Sequence, residues 1–587
     1  LLTFIFYLCG LTFLKAQETT NLDSLEKTLD NLSWQELDSI GDRYRKKYEF
    51  DKAELYLKKA LQVTEKKDNR DSLYAISCNA LGILYYYQGK YSKTEFFWLE
   101  AKDTKEKMLG KENLDYAGSC NNLAIIYVKQ GLYQNAESLY IEAKKIRAKV
   151  LGKDHRHYAA SCNNLAALYE AQGLYRKAEP LYIEAKAIKE KTLGKEHSSY
   201  AVSCDNLAML YVSQGLYQKA EPLHIEAKNI IEKISGKKHF FYANSCNNLA
   251  RLYKNQGLYQ KAEPLYIEAK AIKEEILGKE HSSYAISCNN LAILYKNQGL
   301  YQKAEPLYIE AKKIREKALG KEHPSYAISC DELASLYKNQ GLYQKAVPLY
   351  IESTENKKRQ INTIFPTLSE TEKQEYFASI NRFFYSYIDF ATLYYPTNKK
   401  ISQDLFNQQL FTKGIIFSST QKMKQQIFSS GDSVLINQYK NWKKQKDNYI
   451  TLLQTPISKR DSSINMKDIA FQINELEREV SKKSVAFKEN TQIKEYTWKD
   501  VKQTLSKKEA AIEIIRFVKN DVTDKPKDTV YMALIVTNKT KENPELLVLK
   551  NGNELENEAL SFYQNNVEFK LDDNESYNQY WKPIQDK

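Results

Sequence analysis

Between residues 70 and 350 the apolar positions follow two superimposed periods. At short range they have helical spacing: Leu291, Ala292 and Tyr295, then Ala304, Tyr308 and Ala311, one stripe on each of two helices. At long range the whole pattern returns every 42 residues, as Cys78, Cys120, Cys162, Cys204, Cys246, Cys288 and Cys330 mark, and as Gly89 through Gly341 mark again. One copy, Ser287 to Ile328, predicts two helices parted at Gln298-Gly299, because glycine ends a helix without steric penalty. Pro306 is placed in the first turn of the second helix, where a missing N–H is harmless; Gly320 caps that helix, and Pro324-Ser325 opens the next copy. A divergent earlier copy carries Ile40, Gly41, Tyr44, Ala53, Leu57 and Ala60, which gives eight repeats over residues 35–352.

Past residue 353 the 42-residue period stops. Amphipathic helices are predicted over 371–395, 433–453 and 468–488, the last two pairing as an antiparallel hairpin, with their apolar faces packed in a core. Then the period changes to that of strands at Ala511–Val518, Val530–Thr537 and Leu546–Leu549, read as the first strands of an α/β domain. Residues 353–495 are therefore a helical connecting region and 496–587 the start of an α/β domain.

Leu1 to Leu14 form an apolar run too short for a bilayer span, which takes about 20 residues. It has the length of a secretory signal's apolar region, with cleavage after Ala16. Residues 1–16 are expected to be a signal peptide truncated at its start, and the chain to be exported to a bacterial periplasm or cell surface. Seven unpaired thiols argue for the alternative, a cytoplasmic location. No integral membrane span is expected.

Composition removes several classes. The 87 basic and 74 acidic residues leave a net charge of +13 spread over a surface of both signs, which does not call for nucleic acid. The cysteines lie one repeat apart, beyond the roughly 4.4–6.8 Å between Cα atoms that a disulfide needs, and are read as small buried packing residues. His155, His197, His239, His281 and His323 recur in the connection between units; one histidine per repeat cannot assemble a tetrahedral site, so they are assigned a structural part. No metal set, phosphate loop or other cofactor motif is present.

The informative residues lie on the first helix of each repeat, beside its core stripe. Asn121, Asn163, Asn247 and Asn289 form a row that also holds Asp205 and Asp331, and a turn further on come Arg251, Lys254, Lys296 and Lys338. Amides pair with a peptide backbone whatever its sequence, and a row of cations selects acidic side chains or a terminal carboxylate. The expected partner is a protein or peptide segment, extended and acidic; the sequence leaves the oligomeric state open.

The Leu-Ala-x-x-Tyr and Ala-x-x-x-Tyr-x-x-Ala spacings resemble tetratricopeptide repeats of the long, kinesin-light-chain-like class. That resemblance implies a mostly α fold, a solenoid whose concave face binds extended segments, and hence a protein-interaction scaffold. A second resemblance covers about 360–587: Leu405 to Gly414, Trp498 to Val501, Glu509 to Ile514 and Tyr580 to Pro583 look like the opening of a CHAT domain. It implies a caspase-like α/β fold and, in complete members, a cysteine peptidase with a His–Cys dyad. No Cys or His follows Cys330 in this sequence, so no residue inherits either part and no catalysis is expected of the residues given. The alternative is a repeat-regulated peptidase whose dyad lies beyond Lys587.

Overall fold

The computed structural model describes residues 29–65, 71–455, 465–485, 495–518 and 529–549, with a few positions after 550. The expected signal peptide lies outside the described residues. Two compact units divide the chain, Leu1–Ser329 and Cys330–Lys587. No helix among the described residues is long and apolar enough to cross a membrane.

Among the described residues from Trp34 to Ile364, sixteen helices alternate as eight antiparallel pairs. The first four pairs are α1 (Trp34–Lys46) with α2 (Phe50–Glu65), α3 (Ser72–Tyr87) with α4 (Tyr91–Leu109), α5 (Leu114–Gln130) with α6 (Tyr133–Leu151), and α7 (Arg156–Ala171) with α8 (Tyr175–Leu193). The next four are α9 (Ser198–Ser213) with α10 (Tyr217–Ser235), α11 (Phe240–Asn255) with α12 (Tyr259–Leu277), α13 (Ser282–Asn297) with α14 (Tyr301–Leu319), and α15 (Pro324–Asn339) with α16 (Tyr343–Ile364). In the regular pairs the turn glycine, such as Gly131 at φ 74°, takes the left-handed conformation that ends the first helix. The recurrent histidine begins that helix: Nδ1 of His197, His239 and His281 accepts from the backbone N–H two residues on, which satisfies one of the orphan donors at a helix start.

One local expectation fails. The second helix starts at Tyr301, with the Ala304 N–H already bonded to the Leu300 carbonyl at 3.2 Å, so Pro306 sits in the second turn. Its ring therefore removes an intrahelical bond to the Gln302 carbonyl. Pro180, Pro222 and Pro264 repeat this, and the buried stripe of Ala304, Tyr308, Ala311 and Ile314 holds the helix in spite of it.

Two tyrosine–glutamate hydrogen bonds per unit tie the stack together. Within a pair, Tyr116, Tyr158 and Tyr200 donate to Glu142, Glu184 and Glu226 at 2.9–3.0 Å. Between pairs, Tyr169, Tyr211, Tyr253 and Tyr295 donate to Glu137, Glu179, Glu221 and Glu263 on the preceding second helix at 2.6–2.9 Å. Lysines cover the rings: Lys144, Lys186, Lys228 and Lys270 lie 4.9–5.3 Å above the within-pair tyrosines of the following unit. The cysteines are buried as expected, yet they also donate: Sγ of Cys162, Cys204, Cys246 and Cys288 lies 3.5–3.8 Å from the second oxygen of the same glutamate. Much of the large tyrosine content, 44 residues, serves this lattice.

In the second unit, α17 (Glu370–Tyr394), α19 (Ser433–Gln454) and α20 (Met466–Val485) fall close to the predicted helices. The last two pack antiparallel through Leu435, Tyr439, Trp442, Ile473 and Val480. Between α17 and α19 in sequence order stands α18 (Ile401–Ser429), which the sequence did not predict. It buries Ser402, Gln408, Gln409 and Ser419 as well as Leu405, Phe406 and Ile415, and a helix buried on several sides has no clean polar face to read. After α21 (Trp498–Thr504), strands β1 (Ala510–Val518), β2 (Thr529–Thr537) and β3 (Glu545–Leu549) form a sheet of order β1-β2-β3. Both pairings are antiparallel, Ile514 opposite Ala533 and Met532 opposite Val548. Each connection is shorter than the dozen or more residues a parallel crossover requires, so antiparallel pairing is what these strands can form.

The His281 cap gives a pH dependence. Burial, and then the nearby Lys273 ammonium, hold His281 below its ordinary value of 6.5. The folded chain thus favours neutral imidazole, whose Nδ1 can accept. This contribution is whole above about pH 6.5 and is lost below it, where the unfolded chain takes up the proton first. Thermal stability is expected to fall from about pH 7.5 to about pH 5.5, less steeply in His281→Asn, whose amide caps without titrating. Equal slopes in the two proteins would refute the assignment.

Candidate functional site: the inner face of the helix stack

In the first unit, the first helices of successive pairs touch each other directly, and this places them on the inner side of the curve. Asn122 Nδ2 donates to Asn79 Oδ1 at 2.9 Å, and Asn164 Nδ2 to Asn121 Oδ1 at 2.6 Å. The amides following each cysteine therefore form a staircase from α3 through α5 to α7. Asn121 is an internal acceptor in it.

Further along, the row changes character. Oδ1 of Asn163, Asn247 and Asn289 is buried with no hydrogen-bond partner, and Asn247 and Asn289 are only 8% and 7% exposed. Leaving a buried acceptor unpaired costs about 1–3 kcal/mol. These three acceptors stand at equivalent places, one repeat or two apart, on one face of the stack.

The cations gather on the same helices. Arg251 and Lys254 lie three residues apart on α11, hence on one face. The Arg251 guanidinium rests against the Met209 sulfur of α9, and burial draws its pKa down, with Tyr266, Glu170 and Asp205 opposing. Lys296 of α13 stands 5.9 Å over the Tyr308 ring. Lys338, described within the second unit, is ion-paired with Asp389 of α17 at 2.7 Å; its charge is already matched by the chain itself.

The sequence reading passed over two residues of this face. His224 replaces the tyrosine found as Tyr140, Tyr182, Tyr266 and Tyr308 in the other pairs. It is fully buried; Nδ1 lies 2.7 Å from Asp205 Oδ1, and Nε2 has no partner. Glu170 occupies the place that Lys254 and Lys296 hold later, and accepts from Tyr182 at 2.9 Å and from Ser213 at 3.0 Å. Both were legible as departures from the repeat, had the units been compared position by position. The inner face thus runs from an acidic position at α7 to basic positions at α11 and α13.

The repeat cysteines are held as thiols. Burial pushes the thiols of Cys120, Cys204, Cys246 and Cys288 up to about 12, with the paired glutamates adding to it, and that of Cys162 to about 11; the thiolate is the reactive form. Among the described residues no three His, Cys, Asp or Glu side chains are grouped to hold a metal ion.

A family profile described as tetratricopeptide repeat matches residues 116–191, 200–275, 246–304 and 283–359. These helix pairs are tetratricopeptide repeats. Among solved structures, the chain is similar to a kinesin light chain of Podosopora anserina with nearly identical TPR-like repeats, at 32% identity over 36% of this chain and 98% of that one, with a TM-score of 0.31. It is similar also to BtubC of P. vanneervenii, at 23% identity over 42% and 94%, TM-score 0.33. The apo quorum sensor NprR of B. thuringiensis matches at 13% identity over 59% and 94%, TM-score 0.39. No curated protein matches the sequence.

In the tetratricopeptide stack the thiols are predicted to be inert. Ellman's reagent at about pH 8 is expected to leave the seven repeat cysteines unmodified in the folded protein and to titrate them all in guanidinium. Rapid modification of several in the folded state would contradict the tyrosine–cysteine–glutamate geometry.

Proposed function

We propose that the chain is a protein-interaction scaffold whose repeats hold an extended, acidic peptide segment along their inner face. The observation that carries this reading is the set of buried, unpartnered amide oxygens of Asn163, Asn247 and Asn289. Each suits a backbone N–H, which every extended peptide presents at regular intervals. Arg251, Lys254 and Lys296 supply the preference for acidic side chains and Asn121 sets the staircase, while Lys338 is ion-paired with Asp389 within the second unit. A repeat fold with a polar inner face and thiols held protonated fits binding better than catalysis.

We propose further that residues 360–587 are the opening part of a CHAT-like domain. Supporting this, the segment Leu405 to Gly414 touches two of the others: the Trp498 backbone N–H donates to Asn407 Oδ1 at 2.7 Å, and Lys413 is ion-paired with Glu513. A peptidase activity regulated by the repeats is the second reading, and it rests on that resemblance. We place the scaffold outside the cytoplasm on the strength of the apolar run Leu1 to Leu14.

The test separates binding from folding. Removing a buried acceptor that has no partner is neutral or stabilising, so Asn247→Ala with Asn289→Ala should leave the urea midpoint unchanged or raise it. The same double variant should lose about tenfold or more of its affinity for acidic peptides selected on an array, equivalent to about 1.4 kcal/mol. Undiminished binding would sink the groove assignment.

A further inference from the structure

Tyr48 stands where the later repeats carry their turn glycine, and with φ 60° it is the one non-glycine residue of positive φ among those described. A tyrosine held in that region is strained, and local sequence gives no reason for it. Its surroundings do. The Tyr48 ring meets the His281 ring edge-on, with centroids 4.9 Å apart, and its hydroxyl lies 3.1 Å from Ser282 Oγ. His281 and Ser282 begin the seventh helix pair, 234 residues along the chain.

A second contact repeats the first one unit later. Gly89 approaches His323 and Pro324, again 234 residues on, so closely that a Cβ there would lie 2.6 Å from the Pro324 ring. The turn glycines Gly173, Gly215, Gly257 and Gly299 face open space instead. Two rungs at one separation mean that the stack has completed a turn, between five and six repeats long, and that its successive turns touch.

We infer that Tyr48 and Gly89 form a clasp that closes the first superhelical turn of the repeat stack onto the turns before α13 and α15. The left-handed backbone at position 48 aims the phenol across the gap, and the contact recovers the strain. With the clasp shut, the pitch is fixed and the inner faces of α3 to α11 are enclosed; a bound segment is exchanged by opening the clasp or by threading an end. That last consequence rests on the peptide reading above. The clasp itself does not.

The experiment measures the gap in the full chain. Spin labels are placed at Asp51→Cys and Lys279→Cys, both exposed, with Cys9→Ser, the seven buried thiols staying unlabelled. Electron–electron resonance should give one short, narrow distance distribution. Tyr48→Gly, which relieves the strained backbone while removing the ring, should stay folded by circular dichroism and shift the distribution to longer, broader distances. Gly89→Ala should move it likewise, whereas Gly173→Ala, burdened with the same left-handed backbone but facing open space, should not. An unchanged distribution in folded Tyr48→Gly, or equal shifts in the two alanine variants, would overturn the clasp. Because no peptide is present, its failure would leave the groove reading standing, and the reverse holds for the amide variants.

Discussion

The tyrosine–glutamate hydrogen bond between neighbouring helix pairs is the constraint on which the rest depends. It occurs at every regular step, from Tyr169–Glu137 to Tyr295–Glu263, and it fixes how far each pair is rotated on the last. Repeat arrays are stabilised by such nearest-neighbour terms, so a directional bond at each interface sets the curvature as well as the stability. Curvature puts the first helices on the inside, and only then can Asn122 meet Asn79 or Arg251 rest on Met209. It also returns the stack on itself, so that Tyr48 meets His281. Desolvation keeps the tyrosines protonated, with Tyr211, Tyr253 and Tyr295 pushed up to about 12, and the donors stay in place across the biological pH range.

Against so regular a lattice, function belongs to the departures. Asp205 and His224 change together, giving a buried imidazole bonded to a half-buried carboxylate in place of the tyrosine and amide of neighbouring units. Gly82 replaces the usual alanine where Trp98 replaces the usual tyrosine, and a Cβ there would run into the indole. Tyr48 replaces a turn glycine. Each is a coupled or strained choice that the repeat alone would not make.

The helix pairs were legible because a 42-residue period leaves few other solutions for two amphipathic stripes and a glycine stop. The cysteine row was legible as buried packing. Its hydrogen bonds were not, since the glutamate partner lies 22 residues away on another helix. The amide row could be listed from position alone, yet spacing could not tell that Asn121 is used internally while Asn247 and Asn289 are left with open acceptors. Nor could it tell that Lys338 is neutralised by Asp389, a partner 51 residues on. The helix Ile401–Ser429 escaped because its buried glutamines and serines blur the periodicity. The strands were found, but their antiparallel order depends on connection length, which the apolar runs do not encode.

The central claim is that the inner face of the repeats holds an extended acidic segment through its amides and cations. Hydrogen exchange of the full chain, with and without a saturating array-selected acidic peptide, tests it most directly. Added protection should fall on the first helices Phe240–Asn255 and Ser282–Asn297 and spare the exposed faces of the second helices Tyr259–Leu277 and Tyr301–Leu319. Protection confined to those outer helices, or to the sheet at Ala510–Leu549, would contradict it.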